Sequence, residues 1–339
     1  MPRSTLPVVA CLTVSALLCL RCTSEETTAA QEENLTLGAT SSLGPVPKGK
    51  ATKFPIVLGH GFDASPTNRW GWYKLADALR ADGHKVHVAQ VPPYDSVEVR
   101  AAALAKHIDQ ALSTHGATKV HLISHSMGGL DARFVVGKLG YGDRVASVST
   151  ISTPHRGSPV ADLALKFLPG DGNKSASDMV NHLASCWGLS FSAVAGDSHV
   201  RAAMQAISTS GASSFNSTVG NDSRVVYQSW AGISSVAGIK NPKDVTACGA
   251  ALGEFKRADF MDATLVAGAS VVAGGFALTP NDGMVTVDSA RWGKFRGCIP
   301  ADHLNEVGQP KMDARDKWTG FDHLRFYRNL AFELAAAGM

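Results

Sequence analysis

The residues from Lys119 to Leu139 constrain the fold more than any other part of the chain. Lys119-Val-His-Leu-Ile-Ser124 is an apolar run that reads as a buried strand. It ends in Ser124-His-Ser-Met-Gly-Gly129 and passes without a spacer into helical spacing from Leu130 to Leu139. A serine in a tight strand-to-helix turn between small residues is the setting of a nucleophile elbow. The neighbours must be small because the nucleophile's backbone is strained and larger side chains would clash. The usual pattern is G-x-S-x-G. Here Ser124 stands at its first small position, which predicts a tighter turn around Ser126.

The alternation continues on both sides of this turn. Phe54 to Gly59 reads as a strand, Trp70 to Ala81 as a helix, Lys85 to Gln90 as a strand and Val97 to Leu112 as a helix. Val145 to Ile151 reads as another strand. Val225 to Ala231 and Met284 to Val287 are expected to extend the sheet, and Phe321 to Ala337 to form a closing helix. Strands alternating with helices predict an α/β fold with a mainly parallel sheet covered on both faces. The chain has 339 residues of which 45% are hydrophobic, enough for a large core, and its net charge of +3 excludes the basic stripe of a nucleic-acid binder. Residues 157–217 break the alternation. They carry Leu163, Leu165, Phe167, Leu168, Met179, Leu183, Trp187, Leu189 and Phe191 among small polar residues, and read either as packing helices or as a helical lid over a site.

Arg3 followed by the apolar run Leu6 to Leu20 is shorter than the roughly 20 residues of a membrane span and has the form of a signal peptide. This predicts a signal peptide over residues 1–30, a flexible leader over 31–52 and one domain over 53–339. The expected location is secreted or in the cell envelope. Cys11 and Cys22 leave a lipoprotein anchor open as an alternative, although Cys11, behind the small residues Val8-Val-Ala10, sits too early and Cys22 follows an arginine. Cys186, Cys248 and Cys298 remain in the mature part, which suggests one disulfide and one leftover thiol. Cys248–Cys298 is the expected pair, because Cys298 lies close to a histidine that needs fixing in place.

A serine hydroxyl is a poor nucleophile at neutral pH and needs a base, which in turn needs an orienting acid. In this type of fold they follow in the order Ser, acid, His. Asp282, in the turn Asn281-Asp-Gly283, and His303, in Ala301-Asp-His-Leu304, have that order after Ser126. Most of the 12 histidines have plainer readings in strands or helices. His323 is the competing base, although it falls inside the last helix. Asp262, Asp288 and Asp302 are rival acids; Asp302 is next to His303 and poorly placed to reach its ring. Charge developing on the substrate oxygen needs two N–H donors, worth about 2.7–4 kcal/mol each when removed. His60-Gly-Phe62, after the first strand, assigns them to the backbones of Phe62 and Met127.

Taken in order, Phe54-Pro-Ile-Val-Leu-Gly-His-Gly-Phe62, Ser124-His-Ser-Met-Gly-Gly129, Ser152-Thr-Pro-His-Arg-Gly-Ser158, Tyr227-Gln-Ser-Trp-Ala-Gly232, Asn281-Asp-Gly283 and Asp302-His-Leu304 resemble the secreted bacterial triacylglycerol lipases of family I. The resemblance covers most of residues 53–335. It implies an α/β-hydrolase fold, a Ser–His–Asp triad, hydrolysis of acylglycerols at an oil–water interface, an apolar lid and no cofactor for catalysis. It also implies that Arg100 steadies the oxyanion loop, where the plainer reading is a surface arginine. A structural calcium ion near the catalytic histidine is implied too, with Asp259, Asn305 and Gln309 as the matching ligands. Asn305 stands where the family has Asp, so one negative charge is lost and a weaker site is expected. The family's disulfide is not reproduced at the same positions. Some members need a periplasmic folding helper. The expected function is therefore a secreted lipase. The alternatives are a carboxylesterase for short soluble esters, a polyester depolymerase, an acyl transferase to an alcohol other than water, or a non-catalytic binding protein on a hydrolase scaffold.

Overall fold

The computed structural model describes residues 46–64, 71–167, 199–248, 258–309, 311 and 315–339. The expected signal peptide, most of the leader, Cys186 and the middle of the candidate lid, residues 168–198, lie outside them. Six strands form one sheet: β1 (Ile56–Gly59), β2 (Val86–Val88), β3 (Val120–His125), β4 (Val145–Ile151), β5 (Val226–Gly232) and β8 (Lys294–Ile299). Their order is β2-β1-β3-β4-β5-β8 and every pairing is parallel. Parallel neighbours need crossovers, and helices supply them. These are α1 (Leu75–Ala81), α2 (Val97–His115) and α3 (Gly128–Gly137) between the early strands, then α4 (Pro159–Phe167), α5 (Val200–Ala206) and α6 (Thr209–Thr218). A second, two-stranded sheet pairs β6 (Ser234–Ser235) with β7 (Asp259–Phe260). α7 (Pro242–Cys248) falls between these two strands in the chain, α8 (Ala263–Val272) and α9 (Val287–Ala290) follow them, and the chain closes with α10 (His323–Ala336). No helix among the described residues is long and apolar enough to cross a membrane.

The central strands are apolar on both sides because both faces are covered. Val57, Val120 and Leu122 face one way, onto Ala101, Leu104 and Ile108 of α2 and Ala132 and Val135 of α3. Ile56, Leu58 and Ile123 face the other, onto Leu75 and Leu79 of α1 and Tyr327, Leu330 and Leu334 of α10. The described ends of the candidate lid region are well packed. Ala161 and Ala164 of α4 and Val200, Ala203 and Met204 of α5 are buried with Met127 and Leu130 at the start of α3.

Two expected elements differ. Met284 to Val287 is not a strand. Asp282 Oδ1 accepts the amides of both Met284 and Val285, at 2.8 and 2.7 Å, so the chain turns back on itself and leads into α9. The sheet is extended instead by β8, whose Lys294 and Arg296 disguise an edge strand with charge. The first helix starts at Leu75; residues 71–74, expected within it, are not helical, and Trp70 lies outside the described residues. The backbone just before it is engaged elsewhere: Tyr73 N–H donates to Val307 O at 3.0 Å and Gln309 Nε2 to Gly71 O at 3.0 Å.

Close approach around the elbow depends on missing side chains. A Cβ on Gly128 would lie 2.7 Å from His60 O and 2.9 Å from Gly59 O, both backbone atoms that cannot swing aside. Gly128→Ala is therefore expected to cost about 1–3 kcal/mol of unfolding free energy. Gly220→Ala, where a Cβ meets nothing within 4 Å, is expected to stay within about 0.5 kcal/mol. Urea unfolding of both variants, with m unchanged, checks the difference.

Candidate active site

Ser126 follows β3 with φ of 55°, a left-handed conformation rare for a residue with a Cβ. Its amide donates to Ile151 O at 2.9 Å, and its carbonyl accepts from Thr153 Oγ1 at 2.7 Å. The turn is thus clamped to the end of β4. Ser124 is accommodated because its partner in register on β1 is Gly59, which has no side chain to meet it.

The structure brings Ser126, Asp282 and His303 together. His303 Nε2 lies 2.9 Å from Ser126 Oγ, and His303 Nδ1 lies 2.8 Å from Asp282 Oδ2. Asp282 is fully buried, and its other oxygen accepts the two amides that form its turn. The His303 amide also donates to Asp282 O at 2.9 Å, so the acid holds the base by backbone and by side chain. The rivals are committed elsewhere. His323 Nε2 is 2.9 Å from Tyr73 O. Asp302 accepts the amides of Asp262, Leu304 and Asn305. Asp262 caps α8 through Thr264.

Phe62 and Met127 both stand at the reaction centre. Phe62 lines the cleft with Ser126 and His303, and Met127 is the residue on which α3 begins. Arg100 is completely buried, not a surface arginine. Its Nη2 donates to His60 O at 2.9 Å and its Nη1 to Pro92 O at 2.5 Å, while it pairs with Asp131 at 2.8 Å. One guanidinium so joins the loop after β1, the loop after β2, α2 and α3, which together carry both amides. His60 is held neutral, pushed down to about 3 chiefly by burial and then by Arg100. As a neutral ring it can accept the Val91 amide at 3.3 Å and donate from Nδ1 to Gly61 O at 3.1 Å.

The cleft above Ser126 is lined mainly by apolar side chains, among them Val160, Met204, Ile207, Leu265 and Leu304. A buried serine–histidine–carboxylate relay opening on an apolar cleft can attack an ester carbonyl and hold the acyl part away from water.

Cys248 and Cys298 form a disulfide with Cα atoms 5.3 Å apart, joining α7 to β8. Of the residues matched to a calcium site, Asp259 and Gln309 are buried, and Asp259 Oδ1 and Gln309 Oε1 have no hydrogen-bond partner. Asn305 donates from Nδ2 to Asp259 Oδ2 at 3.0 Å, and the Asp302 amide reaches the same oxygen at 2.6 Å. Burial and the neighbouring Asp302 and Asp316 carboxyls push Asp259 well above the usual carboxylate range. Two orphaned buried oxygens in a negative environment fit a hard cation.

Three residues of this region escape sequence reasoning. Asp131 was signalled by a charge within the apolar start of a helix. His125 and Glu306 lie 2.9 Å apart behind the relay. Burial pushes His125 down and Glu306 up, with His303 adding to the first shift and Asp282 to the second. Neither carried a signal beyond its place beside Ser126 or after His303.

The fold defines a hydrolase of the α/β-hydrolase class, and comparison with known proteins agrees. Residues 55–216 match the family model described as alpha/beta hydrolase fold. The chain is 32% identical over 276 residues to a triacylglycerol lipase of Vibrio cholerae, covering 76% of this chain and 80% of that one. It is 30% identical over 298 residues to a triacylglycerol lipase of Pseudarthrobacter phenanthrenivorans, covering 76% and 90%. A metagenomic carboxyl esterase of solved structure shares the fold, with a TM-score of 0.62 at 17% identity over 87% of this chain and 79% of the other. The chain belongs to the triacylglycerol lipase family and is a carboxylic ester hydrolase.

Asp131 titrates unusually. Burial pushes it up to about 6, against the opposing pull of Arg100. Its folded value lies above the ordinary 3.8, so between about pH 4 and 6 the folded chain binds a proton that the unfolded chain has released. This group's contribution to stability therefore grows as pH falls through that window. Unfolding free energies measured from pH 4 to 7 are expected to lose this component in Asp131→Asn.

Proposed function

We propose that the chain is an exported triacylglycerol lipase that works through an acyl-enzyme on Ser126. The observation that carries the reading is the continuous hydrogen-bonded relay Ser126–His303–Asp282 at the floor of an apolar cleft. Ser126 Oγ attacks the ester carbonyl while His303 Nε2 takes its proton. The Asp282 carboxylate orients the ring and stabilises the imidazolium. The amides of Phe62 and Met127 receive the oxyanion. Collapse of the tetrahedral adduct breaks the ester C–O bond, and His303 returns the proton to the leaving alcohol. Water, deprotonated by His303, then attacks the acyl-serine and releases the fatty acid. The scheme needs no cofactor. The family relationship supports an acylglycerol as substrate, and the apolar run after Arg3 supports export.

Release of fatty acid from emulsified long-chain triglyceride and hydrolysis of a soluble butyrate ester test this reading together. Ser126→Ala is expected to lose both activities by at least about a thousandfold, and Asp282→Asn to lose about 10⁴ in kcat with the fold intact. Butyrate hydrolysis without triglyceride hydrolysis would make the protein an esterase. Unchanged activity in Ser126→Ala would overturn the assignment.

A structural calcium ion belongs to the same reading. Asp259 and Gln309 would supply oxygens to it and Asn305 its side-chain carbonyl. The ion would brace the loop that carries His303. Millimolar calcium is expected to raise Tm by about 2–4 °C in the wild type and not in Asp259→Asn, as read by thermal unfolding with and without chelator.

A further inference from the structure

Glu306 lies three residues after His303, is fully buried, and has no part in the hydrolytic scheme. Its Oε2 is 2.9 Å from His125 Nε2. Its Oε1 accepts from the Ser152 hydroxyl at 2.5 Å, and Ser152 Oγ in turn accepts the Gly232 amide at 3.0 Å. These partners occupy particular places. His125 precedes the nucleophile at the end of β3, and its ring lies against that of His303, with centroids 4.6 Å apart. Ser152 is the first residue after β4 and holds φ of 48°, a left-handed conformation that tertiary contacts must impose. Gly232, the last residue of β5, leaves the space: a Cβ there would lie 2.0 Å from Glu306 Oε1 and 2.9 Å from Asp282 Cβ.

From the loop that carries the base, one side chain thus ties together the ends of three adjacent strands. We propose that Glu306 is a positioning residue of the ester-hydrolysing site, holding the His303 imidazole in line with Ser126 Oγ through His125 and Ser152. The proposal rests on the Ser126–His303–Asp282 reading above. The two hydrogen bonds of the His303 ring fix it in its own plane but do not support its face, and the loop around it belongs to no strand. His125 is the wall on that face, and Glu306 is what holds the wall. A carboxyl is costly to bury, and an apolar side chain would fill the same space. Its two hydrogen bonds are therefore its distinguishing contribution.

Steady-state hydrolysis of soluble p-nitrophenyl butyrate tests the idea, with Ser126→Ala as the blank. Glu306→Ala is expected to lower kcat about 100-fold with KM within about twofold, since a displacement near 1 Å is enough for such a loss. Glu306→Gln keeps an acceptor for Ser152 and a donor for His125, and is expected to recover to within about fivefold of wild type. The downfield proton resonance of His303 Nδ1–H, bonded to Asp282, is expected in the wild type and Glu306→Gln and absent in Glu306→Ala. If Glu306→Ala does not fold, Ser152→Ala removes one arm only and is expected to lower kcat about tenfold at unchanged KM. A kcat within about twofold of wild type in the folded Ala variant, equal losses in Ala and Gln, or a loss confined to KM would each overturn the proposal. Wild-type hydrolysis with an indifferent Glu306→Ala overturns positioning alone. Absence of Ser126-dependent hydrolysis in the wild type overturns the underlying reading and the proposal with it.

Discussion

A left-handed turn at a residue other than glycine costs about 1–3 kcal/mol, and Ser126 is held in one. That conformation lifts the hydroxyl off the edge of the sheet, so much of the surrounding structure serves to impose it. The parallel pairing of β3 with β4 aligns the strand end, Ile151 O receives the Ser126 amide, and Thr153 secures its carbonyl. On the far side, Gly128 lets α3 start against the backbone of the loop after β1. Loosening any of these contacts releases the strain into a different turn, and the hydroxyl is no longer presented.

Charge is used beneath the surface in a way that the modest net charge of +3 conceals. Arg100 and Asp131 are both buried, and their pairing is backed by carbonyls from two loops. A buried ion pair is a poor source of stability compared with apolar packing, but breaking one partner leaves an uncompensated charge, at a cost of about 3–5 kcal/mol. It therefore acts as a lock of defined geometry between the loop after β1 and the start of α3. Asp302 plays a comparable part for the histidine loop, capping three amides with its two oxygens.

What could be read from the sequence followed local signals. Apolar runs marked β1, β3, β4 and β5, because strands covered on both faces need no polar alternation. The small residues around Ser126 marked the turn, and the order of Asp282 and His303 narrowed the acid and the base. β8 was hidden because an edge strand carries charge, and Met284 to Val287 looked like a strand because its apolar residues pack around a turn. Arg100 could be assigned only through the resemblance, since helical spacing does not say which face is covered. The roles of Glu306 and Asp131 are of another kind. Their meaning lies in partners 154 and 31 residues away, a relation that no local pattern encodes.

The relay joins residues far apart in the chain, and that separation bears on when activity can arise. Ser126 and His303 are 177 positions apart, and β8, paired with β5, lies between them in the chain. Contacts of such long range form late, because the entropy of closing the intervening loop must first be offset. A chain still emerging carries Ser126 and its strand but not yet the imidazole that stands beside it. Until β8 and the loop after it are in place, the Ser126–His303 pair does not exist, however much of the sheet has already formed.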